Sequence, residues 1–165
     1  MSAGNLYRTF PSKEAIVEGL CLCDQQERVA TFMDLAGAKS MVAAFEASLY
    51  ELLAAKTPEK ARLLVEIWAE ATRNPAIAAI SRSVDADIVG RIAKVVEIAK
   101  ERGEAAADID SAAAARFIFT YVGGLLKRLA IEPDFDGDAE AARAFQLVKA
   151  LCSGALSLNG PKATP

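Results

Sequence analysis

The stretch "NLYRTFPSKEA", Asn5–Ala15, joins two predicted helices with almost no linker. Residues 6–10 are predicted to form a short aromatic-rich helix. It ends at Pro11, because proline has no amide hydrogen and disfavours helical geometry in the residue before it. A second helix is predicted from Ser12, a good N-cap, to about Ala30. Because the first helix has only one or two turns and is too short to be stable alone, the stretch indicates part of a larger helical unit.

Composition and charge exclude several classes of protein. The chain has 165 residues, of which 53% are hydrophobic and 25% charged, which suits one globular domain. Its formal charge of −3 makes nonspecific attraction to nucleic acid weak, so any DNA contact has to be local. The sequence contains no histidine, which excludes Ser-His-Asp and Cys-His catalysis and the usual zinc sites. With no Gly-rich phosphate loop or metal-ligand cluster either, we expect no enzyme, no metal and no cofactor.

The cysteines and the apolar runs bear on the cellular compartment. Cys21, Cys23 and Cys152 are an odd number of thiols, and we interpret them as reduced core residues, with a redox or metal role as the alternative. The most apolar uncharged run, Phe117–Leu126, has about half the length needed to cross a bilayer. Because nothing resembles a secretory signal either, the sequence predicts a soluble, cytoplasmic protein with no membrane contact.

Five further helices are predicted from apolar residues that recur every three or four positions. They run from Met41 to about Lys56, from Pro58 to the turn at Asn74, from Pro75 to Gly103, from Asp108 or Asp110 to about Ile131, and from Asp138 to about Ser157. No apolar/polar alternation lasts long enough for a strand, so the predicted fold class is all-α. Residues 159–165 are expected to be a disordered tail.

Two of these helices carry more apolar surface than one neighbour can cover. The helix that ends near Ile131 is apolar on nearly every side and contains Gly123 and Gly124, each of which costs about 0.8–1 kcal/mol relative to alanine. Such a cost is tolerable if another helix approaches closely. The last helix has two apolar stripes, Phe145-Val148-Cys152-Ala155 and Leu147-Leu151-Leu158. A second copy of the chain is the simplest cover for one stripe, and other helices of the same chain are the alternative.

The segment "SAGNLYRTFPSKEAIVEGL", Ser2–Leu20, resembles the end of the DNA-binding domain of the TetR family of bacterial transcriptional repressors. The shared pattern is small-x-Gly-x-Leu-Tyr-x-x-Phe-x-Ser-Lys-Glu-x-Leu/Ile. The resemblance implies that the first helix is the recognition helix of a helix-turn-helix. It also implies a truncated DNA-binding domain at 1–30, followed by a helical ligand-binding and dimerisation domain at 38–158.

The same resemblance assigns DNA contacts residue by residue. Tyr7 and Lys13 would contact phosphates, with solvated surface as their alternative role. Thr9 stands where the family more often has an aromatic residue or histidine, so its contact would be shorter or lost. The leading end of the recognition helix would be formed by Ser2, Ala3, Gly4 and Asn5. Two helices and a turn, roughly 25–30 residues, should precede Asn5, and operator binding is expected only with them. Met1 is then either an internal methionine or the start of a chain that has lost them.

The resemblance also implies an inducer pocket between Lys39 and Gly103, and the sequence makes its lining apolar. The pocket candidates, for which plain core is the alternative, are Phe45, Leu49, Leu64, Trp68, Ile88, Ile92, Phe117 and Tyr121. Thr72 or the Tyr121 hydroxyl would orient the ligand. The candidates for the dimer interface are Tyr121, Gly124, Phe145, Val148 and Cys152.

The expected function is that of a ligand-responsive repressor. It would bind operator DNA as a homodimer and would be released by a small, mostly apolar inducer. The alternative is a dimeric helical module that still binds a small molecule but no longer binds DNA.

Overall fold

The computed structural model describes residue 12 and residues 14–20, 40–53 and 58–156, and all regular structure in these ranges is α-helical. The helices are α1 (14–20), α2 (Met41–Leu53), α3 (Pro58–Ala71), α4 (Pro75–Glu101), α5 (Ser111–Ile131) and α6 (Gly137–Cys152). The predicted all-α fold class is confirmed. None of the helices in these ranges has both the length and the apolar character to cross a membrane.

The start of α4 was predicted from Asn74, and the structure confirms it. The Asn74 Oδ1 accepts hydrogen bonds from the backbone N–H groups of Ala76 at 3.0 Å and Ile77 at 3.4 Å. The same side chain donates from Nδ2 to Oε1 of Glu14 at 2.7 Å. Asn74 therefore caps α4 and also ties α1 to the turn between α3 and α4.

The end of α4 is set by Gly103, as predicted. Its φ of +72° is in the left-handed region, where a side chain would be strained. Its N–H donates to the carbonyl of Lys100 at 3.0 Å, and the N–H of Glu104 donates to the carbonyl of Ala99 at 2.8 Å. These two bonds form a Schellman motif, which turns the chain sharply and fixes the position of Glu104.

The start of α5 agrees with the prediction from the sequence, whereas the end of α6 does not. Of the two candidate caps for α5, the structure selects Asp110, whose carboxylate accepts from the first helical amides at 2.9 and 3.0 Å. Helix α6, in contrast, ends at Cys152 because Gly154 adopts a φ of +77°. The prediction that this helix continues to about Ser157 is therefore wrong.

Helix α5 lies at the centre of the fold and contacts α2, α3, α4 and α6. This agrees with its nearly uniform apolar surface, which other helices have to cover. One stripe of α5 stays exposed within the chain, formed by Ala112, Arg116, Thr120, Gly124, Lys127 and Ile131.

Helix α6 turns both of its apolar stripes partly inward. Phe145 and Val148 of the first stripe are each 8% exposed, and Leu151 of the second is 1% exposed. Phe145 packs with Leu49 and its neighbours, whereas Val148 and Leu151 pack against α5. Leu147 stays partly exposed. The sequence predicted that one stripe of α6 meets the chain's own core and that the other meets a partner. The monomer itself covers more of α6 than this prediction allowed.

A network of charged side chains joins the end of α5 to the start of α6. Glu140 is only 8% exposed. Its carboxylate accepts hydrogen bonds from Nη1 of Arg128 at 3.0 Å and from Nη1 of Arg143 at 2.9 Å. Arg128 also pairs with Glu132 at 2.9 Å and lies over the ring of Phe135, 5.5 Å from its centre. The network fixes the turn between the two helices.

We expect Glu140→Ala to lower the free energy of unfolding by about 1–3 kcal/mol, because two guanidinium groups lose an acceptor. The loss should stay below that of a fully buried pair, since the Arg128 side chain is 41% exposed and keeps Glu132. Asp138→Ala removes the same charge from an exposed position in the first turn of α6 and should cost less than about 1 kcal/mol. Urea unfolding of both variants is the measurement, and equal losses would show that the network contributes nothing beyond the helix dipole.

Candidate ligand site

A cavity of about 160 Å³ lies between α2, α4, α5 and α6. Most of its lining is apolar, with Met41, Val42, Phe45, Ile92, Val95, Val96, Ala99, Ile118, Phe145 and Val148. Its polar lining residues are Glu104, Lys149, Cys152 and Ser153. An apolar cavity of about 150 Å³ is large enough to bind benzene, so this one has room for a molecule of about one aromatic ring.

The periodicity of α4 explains why its second half faces this cavity. Ile92, Val95, Val96 and Ala99 recur at intervals of three or four residues and therefore lie on one face of the helix. The beginning of α2 and the end of α6 approach that face. The cavity thus lies towards the end of the molecule where α4 ends, α2 begins and α6 ends.

Glu104 is the acidic residue of the lining, and it also caps α2. Its Oε2 accepts from the Ser40 hydroxyl at 2.8 Å and from the Val42 N–H at 3.2 Å, and its Oε1 accepts from the Met41 N–H at 3.1 Å. Burial raises the pKa of Glu104, but the hydrogen bonds from Met41, Ser40 and Val42, together with the nearby Arg102, lower it below its ordinary value. A negative charge is therefore held at the edge of an apolar cavity, against the N-terminus of a helix.

We expect the stability that Glu104 contributes to depend on pH. Since its folded pKa lies below the ordinary 4.5, the contribution is present above about pH 5 and is lost as the pH falls through the folded pKa. Glu104→Gln should therefore lower the free energy of unfolding by about 1 kcal/mol at pH 7, and the difference from wild type should shrink below pH 4.5.

Urea unfolding at several pH values measures this difference. Glu101→Gln, which removes the same charge from an exposed position at the end of α4, is the control. A difference between wild type and Glu104→Gln that is the same at pH 7 and at pH 3.5 would contradict the role given to this carboxylate.

Cys152 lines the cavity and packs against the buried apolar residues between α5 and α6. Burial raises the pKa of its thiol, which lowers the reactive thiolate fraction. This placement agrees with the interpretation of Cys152 as a core residue. Cys21 and Cys23 lie outside the described residues.

The structure brings together only part of the predicted pocket. Phe45 and Ile92 line the cavity, whereas Leu49 packs in the core with Leu53, Leu125 and Phe145. The remaining candidates do not line it: Phe117 and Tyr121 stack on each other with ring centres 6.5 Å apart, and Leu64, Trp68 and Ile88 are partly buried elsewhere. Thr72 is exposed, and its hydroxyl donates to the carbonyl of Ala69 at 2.7 Å.

Three of the five predicted interface residues lie at the cavity instead of on a free surface. Phe145, Val148 and Cys152 line it, and Phe145 and Val148 have little surface left for a second copy. Tyr121 is partly exposed and Gly124 is exposed. A Cβ atom built on Gly123 or Gly124 would meet nothing within 4 Å, so nothing that the structure describes around them requires glycine there.

Other predicted site residues are outside the part of the chain that the structure describes. They are the DNA contacts Ser2, Ala3, Gly4, Asn5, Tyr7, Thr9 and Lys13. The lining residues that sequence reasoning missed come from the start of α2, the end of α6 and the turn at Glu104. The apolar period of α4 included Val95 and Ala99, but no sequence pattern pointed to Glu104.

Comparison with known proteins gives matches that agree with one another. The family model described as "BetI-type transcriptional repressor, C-terminal" matches residues 39–156. The HTH-type transcriptional regulator UidR of Escherichia coli K12 is 30% identical over 159 residues, which covers 96% of this chain and 79% of UidR, and UidR of Shigella flexneri gives the same figures. The solved structure of Salmonella enterica GusR superposes with a TM-score of 0.73 at 28% identity, covering 92% of this chain and 79% of that one.

Proposed function

Because the chain belongs to the TetR family of transcriptional regulators, we propose that it is a ligand-responsive repressor that binds operator DNA as a dimer and releases it when a small, mostly apolar molecule binds. The observation that carries the proposal is the apolar cavity between α2, α4, α5 and α6, in a segment that matches the C-terminal domain of a repressor family. An apolar cavity with a few polar groups is the usual form of a small-molecule site.

The proposed DNA-reading part is the segment before α1. Tyr7 and Lys13 are proposed to contact phosphates, and Ser2 to Asn5 are proposed to form the leading end of the recognition helix. Helix α1 follows Lys13 directly, and Glu14 at its start is held by Asn74. A hydrogen bond therefore connects α1, which directly follows the proposed DNA-reading segment, to the turn at the start of α4.

The proposed dimer uses the exposed stripe of α5 together with α6. Gly124 lies on that stripe, and its missing side chain leaves room for a helix of the second copy to approach. Two α5–α6 pairs would form a four-helix bundle that buries about 1,200–2,000 Å² in total. Phe145 and Val148 would then lie beneath the interface, in the core of each monomer, and would not contact the second copy directly.

We expect Gly124→Leu to convert the dimer to a monomer, because a large side chain would block the close approach. Gly124→Ala, the matched control, should keep the dimer and stabilise the helix by up to about 1 kcal/mol. Analytical ultracentrifugation at micromolar concentration is the measurement. A wild-type chain that is a folded monomer under these conditions would contradict the dimer, and unchanged association of Gly124→Leu would place the interface elsewhere.

The test of the whole function is a mobility-shift titration of the full-length gene product against the DNA that flanks its gene. A specific complex that is weakened by a small aromatic compound supports the proposal. Lys13→Ala should weaken binding to all sequences about equally and reduce the salt slope by about one, because phosphate contacts carry no base information. A protein that binds the small molecule but no DNA would instead support the alternative function, a helical module that binds a small molecule and no longer binds DNA.

A further inference from the structure

We propose that Glu104 is the polar anchor of the cavity and that it selects ligands in which a small apolar body carries one positively charged or hydrogen-bond-donating group. This inference rests on the proposed function, since it names the class of ligand for the same site. Its basis is that the carboxylate borders an apolar space and has acceptor capacity left.

The remaining capacity follows from the hydrogen bonds of the carboxylate. Two carboxylate oxygens together offer about four acceptor positions. Among the residues that the structure describes, Oε2 accepts from Ser40 and Val42, whereas Oε1 accepts from Met41. Within the described part of the chain, one position on Oε1 is therefore left for a donor. Since the three existing bonds already hold the carboxylate in place, a ligand would not have to order it on binding.

The other charged residue of the lining is Lys149, whose ammonium group would favour an anionic ligand. It is exposed on α6, so its ammonium group stays in water, and pairing with it would gain little. Glu104 is only partly exposed and is fixed by backbone amides at the start of α2. A cation or an N–H donor in the cavity is therefore better matched than an anion.

The same carboxylate makes α2 sensitive to what the cavity contains. Glu104 holds the first turn of α2, and three residues of that helix, Met41, Val42 and Phe45, line the cavity. A donor bound to Oε1 would share its acceptor with the Met41 amide. The amide resonances of Met41 and Val42 should therefore shift more with a donor ligand than with an apolar one of the same size.

Three aromatic probes of similar size separate the possibilities: toluene, benzylamine and benzoate. Dissociation constants from NMR titration at pH 7 should show benzylamine binding about tenfold more tightly than toluene or benzoate, as one charge-assisted hydrogen bond provides. Glu104→Gln should remove this preference, whereas Glu101→Gln, an exposed charge change at the end of α4, should preserve it.

Each outcome decides the question. If Glu104→Gln does not fold, the order of the three probes on the wild-type chain is sufficient, because tightest binding of toluene or benzoate overturns the inference. If all three probes bind equally with and without Glu104, the inference fails while the ligand-binding cavity of the proposed function stands. If no probe binds at millimolar concentration, the inference and the ligand response both fail, and DNA binding by the full-length protein is judged separately.

Discussion

Ala99→Leu should weaken the binding of a toluene-sized molecule by at least about 100-fold, because it fills the space that the ligand needs. Ala99 is 5% exposed and lines the cavity beside Val95 and Met41. The substitution adds three carbon atoms to a space of about 160 Å³, which leaves no room for an aromatic ring. At about 1.4 kcal/mol per factor of ten, the expected change corresponds to about 2.8 kcal/mol.

The full-length Ala99→Leu protein should therefore keep its operator complex in the presence of inducer. NMR titration measures the loss of binding, and a mobility shift with and without the small molecule measures the loss of response. Ala86→Leu is the matched control, because Ala86 is exposed on the same helix and the change should affect neither measurement. Unchanged ligand affinity in Ala99→Leu would show that the cavity is not the ligand site.

Leu151→Ala should lower the free energy of unfolding by about 3–5 kcal/mol. Leu151 is 1% exposed and packs against Ala114, Ile118 and Val148, so that truncation leaves a hole among side chains that cannot collapse fully. Because domains of this size are stable by only about 5–15 kcal/mol, this one change would remove a large share of the total.

Leu147→Ala on the same helix is the control for Leu151→Ala. Leu147 is partly exposed, so its truncation should cost about 1–2 kcal/mol in the monomer. Urea unfolding of the two variants under identical conditions is the measurement. Equal losses would mean that α6 does not bury Leu151 more deeply than Leu147, and the packing of this helix would have to be revised.

The helices and most of their ends could be predicted because they depend on neighbouring residues. Asn74 and Asp110 cap amides two and three positions away, and Gly103 ends α4 with its own backbone conformation. The same local reasoning failed at Gly154, because a glycine inside an apolar period is compatible both with a helix interior and with its end.

The cavity could be predicted only in part because it is the space that packing leaves unfilled. Phe45 and Ile92 line the cavity, but an apolar period does not show which inward side chains leave a gap. The stripe on α6 likewise does not distinguish a face that meets the chain's own core, where Phe145 lies, from one that meets a partner. The role of Glu104 could not be read at all, since its bond to Ser40 joins residues 64 positions apart.

Helix α4 is long enough to separate the Asn74 contact from the cavity by almost the whole length of the helix. The helix has 27 residues and is therefore about 40 Å long, with the Asn74 contact to Glu14 at one end and the cavity face around Ala99 at the other. An α-helix of this kind tilts as a rigid rod, so a tilt of about 1.5° about one end displaces the other by about 1 Å. A shift of that size equals a third of the distance across a hydrogen bond. A tilt of this size that pivots at the cavity end would move Asn74 and its contact with Glu14 by about 1 Å.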